Sequence, residues 1–126
     1  MSEENINIVK EFFKLAAKQD FEGARQYLDP NVEWIEPDAP GLLFGGTHQW
    51  VDAVFAEVIK PTFDQLAGFG VQIDRYYDIG DNVIAICRFY GRGKKTNKEL
   101  NARAADVLTL KEGKIVRFEG FHEIAK

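Results

Sequence analysis

The sequence predicts one α+β domain, in which about three N-terminal helices pack in a curved, mostly antiparallel sheet of four to six strands. Two observations predict this fold class. Apolar residues recur at helical spacing up to about residue 60, and from about residue 69 they alternate with other residues at strand spacing. A length of 126 residues with 45% apolar residues is typical of a single domain, which we expect to span residues 1–126.

The first helix is predicted from Ser2 to about Ala17. Ser2 is a favourable cap, and Glu3 and Glu4 follow at the positive end of the helix dipole. Apolar residues occupy about half of the circumference, which is wider than a single core contact requires. We therefore expect this helix to pack on two neighbours or to close a cavity.

The second helix is predicted to be short. Asp20 is a favourable cap, the helix reaches about Leu28, and Asp29-Pro30 stops it. A short strand at residues 32–35 follows.

The third helix follows a loop rich in proline and glycine at residues 36–47. Thr47 is its predicted cap, and its apolar residues repeat at helical spacing from Trp50 to Ile59. Pro61 is expected to end its regular part.

Four long strands are predicted in the second half. They cover residues 69–74, 83–90, 99–110 and 115–124, with turns at residues 80–82, 93–98 and 111–114. Several strands are apolar on both faces, and the helices cover only one face of the sheet. We therefore expect a second copy of the chain to cover the other face in a homodimer.

Composition and motifs exclude several functions. The net charge of −4 disfavours nucleic acid and anionic membranes as partners, and no apolar run is long enough for a membrane span. The acidic start lacks a secretion pattern, so the cytoplasm is expected. A single cysteine, Cys87, and two histidines, His48 and His122, provide neither an internal disulfide nor a metal motif. No phosphate loop or nucleophile elbow is present, so if the protein is an enzyme, general acid–base chemistry without a cofactor remains.

Asp106 is the most informative residue, because it interrupts an apolar strand in which a carboxylate is costly to bury. By strand spacing it shares a face with small alanines, Ala102 and Ala104, which leave space beside it. If this face lines a cavity, Asp106 has a raised pKa and donates a hydrogen bond or moves a proton. The alternative is an ion pair with Arg88 or Arg103 at a sheet or dimer surface.

His122 and Glu36 are two further candidate acid–base groups. His122 shares a strand face with Val116, Phe118 and Gly120, and the missing side chain of Gly120 opens room beside it. Glu36 lies where a strand meets a rigid loop, a common place for functional groups. The alternative for His122 is a histidine whose hydrogen bonds are satisfied within the core or at its rim. The alternative for Glu36 is a solvated acid.

Aromatic residues are candidates for the wall of a pocket for an apolar ligand. Most aromatic residues at such spacings belong to the core, so we expect only one or two of the first five to touch a ligand. The candidates are Phe12, Trp34, Phe44, Trp50 and Tyr90, with Phe118 on the predicted face of His122.

The order of elements and several local motifs resemble the SnoaL-like branch of the nuclear transport factor 2-like superfamily, a relative of ketosteroid isomerase. The resemblance covers Glu22-Gly23-Ala24, the stretch 32–40, Gly45-Gly46, the third helix and the hairpin from Asp106 to Ile115. It implies a cone-shaped fold with a deep hydrophobic pocket, usually dimeric. The superfamily includes isomerases, cyclases, dehydratases, epoxide hydrolases and binding proteins.

The resemblance also implies roles for individual residues. The general-base carboxylate of ketosteroid isomerases matches Glu36, before Pro37, and their second, protonated carboxyl matches Asp106. The tyrosine that completes their oxyanion site falls at Phe12, which has no hydroxyl. Epoxide hydrolases of this fold carry an arginine where Ala104 stands.

Two functional hypotheses follow. The first is a small, cofactor-independent isomerase or lyase acting on an apolar carbonyl compound. In this enzyme Glu36 abstracts a proton, Asp106 binds the enolate oxygen, and His122 assists or replaces one of them. The second is a binding module or dimeric scaffold without catalysis.

Overall fold

The computed structural model describes residues 2–37 and 45–123. These residues form three helices and one six-stranded sheet, which confirms the predicted fold class. The helices are α1 (Ser2–Ala17), α2 (Phe21–Arg25) and α3 (residues 51–65), and the strands are β1 (Leu28–Glu36), β2 (Gly46–Gln49), β3 (Leu66–Ile79), β4 (Asn82–Gly93), β5 (Glu99–Lys111) and β6 (Lys114–His122). Within the described ranges, no helix is long and apolar enough to cross a membrane.

The sheet is curved and open, with the strand order β2-β1-β6-β5-β4-β3. Strands β1 and β6 pair in parallel, and the other neighbours pair antiparallel. Register shifts interrupt β3 opposite β4 and β6 opposite β5, and such bulges bend a strand and increase its twist. In this strand order, β5 lies near the middle of the sheet, with β4 and β6 on either side.

One face of the sheet packs on α1 and α3. Strand alternation places Val83 and Leu108 on this inner face, where both are fully buried. They join Val9 and Phe12 of α1 and Val54 of α3 in a single core. Complete burial of a side chain such as Leu108 contributes about 2–3 kcal/mol, so the helices and the sheet depend on each other.

The second helix is shorter than predicted. It ends at Arg25, and β1 already begins at Leu28. Pro30 therefore lies within a strand, but it falls in the gap between the paired positions Leu28 and Glu33, where its missing N–H breaks no ladder bond.

The third helix differs from the prediction at both ends. Thr47 lies in β2, which pairs with β1, and the helix begins only at Val51. It consists of α-helical Val51–Val54, π-helical Phe55–Ile59 and α-helical Lys60–Gln65, so Pro61 does not end it. Proline lacks a backbone N–H. It is tolerated there because it falls at the start of the last segment, where the hydrogen-bond pattern changes and no N–H from this residue is required.

The last strand corrects one predicted face. A register shift pairs Ile115 with Leu110 and buries Ile115 fully, whereas Val116 is only half-buried. Beyond the shift, Phe118, Gly120 and His122 share the inner face as predicted. Strand β6 ends at His122, and the predicted end at Ile124 lies outside the described residues.

Candidate functional site

A cavity of about 100 Å³ lies between α1, α3 and the inner face of the sheet. Its walls are mostly apolar, and two carboxyl side chains, Glu36 and Asp106, also line it. Aromatic rings from six different elements form much of the wall. They are Phe12, Phe13, Trp34, Phe63, Phe69, Phe89 and Phe118.

Asp106 is fully buried in the middle of β5. Its Oδ2 accepts a hydrogen bond from the Cys87 thiol at 3.6 Å, and Oδ1 has no hydrogen-bond partner within residues 2–37 and 45–123. Burial raises the pKa of Asp106 well above its usual range, the charge of Glu36 raises it further, and the Cys87 bond opposes this rise. Burial and the charge of Glu36 therefore both favour the neutral carboxylic acid, which has an O–H to donate.

The ion-pair alternative for Asp106 does not match its surroundings. Arg88 and Arg103 face each other across β4 and β5, one strand position from the inner face. Arg88 donates to Asn101 at 3.1 Å, and Arg103 lies 4.0 Å from Glu123. Both arginines therefore belong to the outer face.

Glu36 is the last residue of β1 and also lines the cavity. Its Oε2 accepts a hydrogen bond from Trp34 Nε1 at 2.6 Å. Burial raises the pKa of Glu36 to about 7, while the Trp34 bond and the charge of His48 oppose the rise. Glu36 therefore changes its charge near neutral pH, which suits a general base.

His122 lies beside Glu36 on the inner face of β6. Its Nε2 is 3.9 Å from Glu36 Oε1, beyond hydrogen-bond length, and both side chains are only 13% exposed. Burial lowers the pKa of His122, so the ring is neutral at neutral pH. Nε2 is buried without a hydrogen-bond partner among the described residues.

Gly120 lies between the two unpaired groups, and only the absence of a side chain leaves room beside it. It lies directly opposite Asp106, and His122 follows two residues later on the same face. A Cβ on Gly120 would stand 3.2 Å from His122 Nε2, 3.4 Å from Asp106 Oδ1 and 3.4 Å from Phe118. The sheet therefore brings together the three predicted acid–base groups, Glu36, Asp106 and His122.

The predicted aromatic residues divide into two groups. Phe12, Trp34 and Phe118 line the cavity, and Trp34 stacks on Phe118 with ring centres 3.8 Å apart. Trp50 is 58% exposed, and Tyr90, which is 45% exposed, lies over Gly70. The structure does not bring these last two into the cavity wall. Phe44 lies outside the described residues.

Other residues of the cavity wall were not predicted from the sequence. Phe63 lies beyond Pro61, where the helix was expected to have lost its regular form. Phe69 and Phe89 lie in correctly predicted strands, but alternation alone does not tell which strand face turns inward. Only Phe13 had a usable signal, since it belongs to the wide apolar surface predicted for α1.

The fold defines a class, the NTF2-like proteins. An NTF2-like protein from Burkholderia thailandensis E264 is 28% identical, with a TM-score of 0.85 over 94% of this chain and 90% of that chain. A putative SnoaL-like polyketide cyclase from Jannaschia sp. CCS1 is 15% identical, with a TM-score of 0.82 over 97% and 87% of the two chains. A protein from Catenulispora acidiphila DSM 44928 with a ketosteroid isomerase-like fold is 14% identical, with a TM-score of 0.79 over 93% and 85%.

The family can be stated more narrowly. The sequence profile of the SnoaL-like domain matches residues 9–118, and the chain therefore belongs to this family. The resemblance noted from the sequence is thus confirmed. A search of curated proteins found no significant match.

Proposed function

We propose that this protein is a small, cofactor-independent enzyme of the isomerase or lyase type, which acts on an apolar carbonyl compound in its cavity. The observation that supports this proposal most strongly is that Glu36 and Asp106, from distant parts of the chain, line the same apolar cavity. Two titratable groups with perturbed pKa values in one concave site are the usual signature of acid–base chemistry.

The proposed chemistry begins with Glu36 as a carboxylate. It removes a proton from the carbon next to the carbonyl, and the electron pair moves onto the carbonyl oxygen to form an enolate. Asp106, as a neutral acid, donates a hydrogen bond to this oxygen as its negative charge develops. Glu36 then returns the proton to another carbon in an isomerase, or a leaving group departs in a lyase.

The environments of the two carboxyl groups support these separate roles. The pKa of about 7 leaves a substantial fraction of Glu36 ionised at neutral pH. Complete burial keeps Asp106 protonated, and the neighbouring charge of Glu36 acts in the same direction. One group is therefore ready to accept a proton while the other keeps its own.

Deuterium uptake tests the proposal without a known substrate. Cyclohexanone in D₂O exchanges its α-hydrogens whenever an enolate forms, and proton NMR follows the exchange. We expect the protein to accelerate this exchange, Glu36→Gln to abolish the acceleration, and Asp106→Leu to reduce it strongly.

Two surface variants serve as matched controls. Glu33→Gln removes a carboxylate from the same strand as Glu36, and Asp81→Asn removes an exposed one before β4. Both should exchange cyclohexanone as fast as the wild type. Equal rates in the wild type, Glu36→Gln and Asp106→Leu would refute the proposal.

The cavity size favours a second candidate, a binding protein or dimeric scaffold without catalysis. About 100 Å³ is small beside the several hundred Å³ typical of ligand sites. The stacked rings of Trp34 and Phe118 fill part of the space between the helices and the sheet. Binding of cyclohexanone without any accelerated exchange would support this candidate.

We also propose a homodimer formed through the outer face of the sheet. Cross-strand pairs place Ile84 beside Val107 and Ile86 beside Ala105, and 53%-exposed Phe121 extends this apolar strip. Arg75 of β3 and Glu119 of β6 flank the strip on opposite sides.

A second copy related by a two-fold axis that runs along the strands through the strip would place these unlike charges opposite each other. Light scattering should show a dimer for the wild type and a monomer for Ile86→Glu. A wild-type monomer would refute this interface.

The buried, free thiol of Cys87 fits a reducing compartment, and we propose the cytoplasm.

A further inference from the structure

Two buried polar atoms that lack a partner point to a binding subsite beside Gly120. Among the described residues, Asp106 Oδ1 and His122 Nε2 are both buried and neither has a hydrogen bond. Buried polar groups in proteins almost always have a partner, so an unpaired one calls for an explanation. Here the two unpaired atoms face the same small volume.

The geometry of this volume depends on a missing side chain. The position that a Cβ of Gly120 would occupy is within 3.4 Å of both Asp106 Oδ1 and His122 Nε2. Phe118, whose ring edge is equally close to that position, lines the cavity together with Asp106, so this narrow volume adjoins the apolar space. An atom somewhat above Gly120 would lie within reach of both polar atoms and remain attached to a molecule in the cavity.

The charges around this volume restrict its occupant. Glu36 lies 3.9 Å from His122 Nε2 and disfavours an anionic ligand group. A neutral Asp106 offers an O–H, and a neutral His122 offers an N–H in one of its two tautomers. Two donors that converge on one point match the two lone pairs of an uncharged carbonyl oxygen.

We propose that Asp106 Oδ1 and His122 Nε2 together bind one uncharged carbonyl oxygen of an apolar ligand above Gly120, and that Gly120 keeps this subsite open. This inference rests on the proposed function for the nature of the oxygen. It adds a second donor, His122, to the one that the proposed chemistry already uses. Phe12, also in the cavity wall, has no hydroxyl to supply such a donor.

The test compares two probes that differ in one atom group. Cyclohexanone has a carbonyl where methylenecyclohexane, of similar shape, has a carbon–carbon double bond that accepts no ordinary hydrogen bond. The measured quantity is the ratio of the two dissociation constants, ketone over alkene, obtained by NMR titration of the full chain. Using a ratio removes changes in cavity volume that weaken both probes alike.

We expect this ratio to rise at least about tenfold in His122→Leu and in Gly120→Ala. The first variant removes one donor, and the second places a methyl group where the oxygen binds. The infrared carbonyl stretch of bound cyclohexanone should lie at lower frequency in the wild type than in His122→Leu, because two donors weaken the bond more than one. Ile79→Ala, which truncates an exposed side chain at the end of β3, should leave the ratio unchanged.

Several outcomes would overturn the subsite. Ratios within about twofold of the wild type in both variants would do so, as would failure of the wild type to bind cyclohexanone. If Gly120→Ala does not fold, His122→Leu and its infrared frequency decide the matter. Binding is measured separately from turnover, so a shifted ratio without accelerated exchange supports the subsite and refutes the proposed function. Accelerated exchange with unshifted ratios supports the proposed function and refutes the subsite.

Discussion

Replacement of Glu36 by glutamine should change the pH dependence of stability in a specific direction. Burial raises the pKa of Glu36 from 4.5 to about 7 in the folded protein. A carboxyl group with a raised pKa favours the folded state only while it is protonated. Its stabilising contribution is therefore complete below about pH 4.5 and is lost as the pH rises through about 7.

The magnitude follows from the size of this rise. A pKa rise from 4.5 to about 7 corresponds to about 3 kcal/mol of folding free energy. Glutamine has nearly the same shape, can still accept the Trp34 hydrogen bond and never becomes charged. We therefore expect Glu36→Gln to gain stability relative to the wild type by about 3 kcal/mol between about pH 4 and about pH 8.

Urea unfolding of both proteins at a series of pH values measures this difference directly. Glu33→Gln is the matched control, because it removes a half-exposed carboxylate that accepts a hydrogen bond from Arg117 at 3.0 Å. The control should be slightly less stable than the wild type at neutral pH, by at most about 1 kcal/mol. A difference between Glu36→Gln and the wild type that stays constant over this pH range would refute the claim that burial destabilises the Glu36 carboxylate.

Three further predictions concern the same residues. The rate of cyclohexanone exchange should rise with pH through about 7, because burial raises the pKa of Glu36 to about 7 and the base must be ionised; a flat NMR rate profile would contradict this. Asp106→Asn should keep part of the exchange activity and Asp106→Leu should lose about 10²–10³-fold, since only asparagine can donate to the enolate; equal rates in the two variants would exclude the hydrogen-bond role. Cys87, only 1% exposed and with its pKa raised by burial, should react with a colorimetric thiol reagent only after unfolding, and rapid labelling of the native protein would contradict its burial.

The parts of the site that could be predicted carried a local signal. Asp106 was found because a carboxylate inside an apolar strand needs a special environment. Glu36 was found because it stands before a proline at the end of a strand, where the chain changes character. Gly120 indicates space beside His122 from the sequence alone.

The parts that could not be predicted depend on distant pairing. Strand β2, at Gly46–Gln49, is formed by pairing with β1, and nothing in the four residues alone distinguishes it from a helix cap. The buried Ile115 depends on a register shift between β5 and β6, which moves the inward face by one residue. Phe63 enters the cavity because the α-helical segment Lys60–Gln65, which follows a π-helical turn, continues the helix past Pro61.

The placement of Asp106 in the cavity depends on the small residues around it. On the two neighbouring strands its direct partners are Ala85 and Gly120, and Ala104 precedes it on the same face. None of these residues has a side chain that can cover the carboxyl group, so one of its oxygens faces the gap above Gly120. A valine at any of these positions would place methyl groups where we propose that a ligand binds. The reactivity we propose is therefore a property of the sheet register as much as of the carboxyl group, because a shift of one residue would turn Asp106 to the outer face.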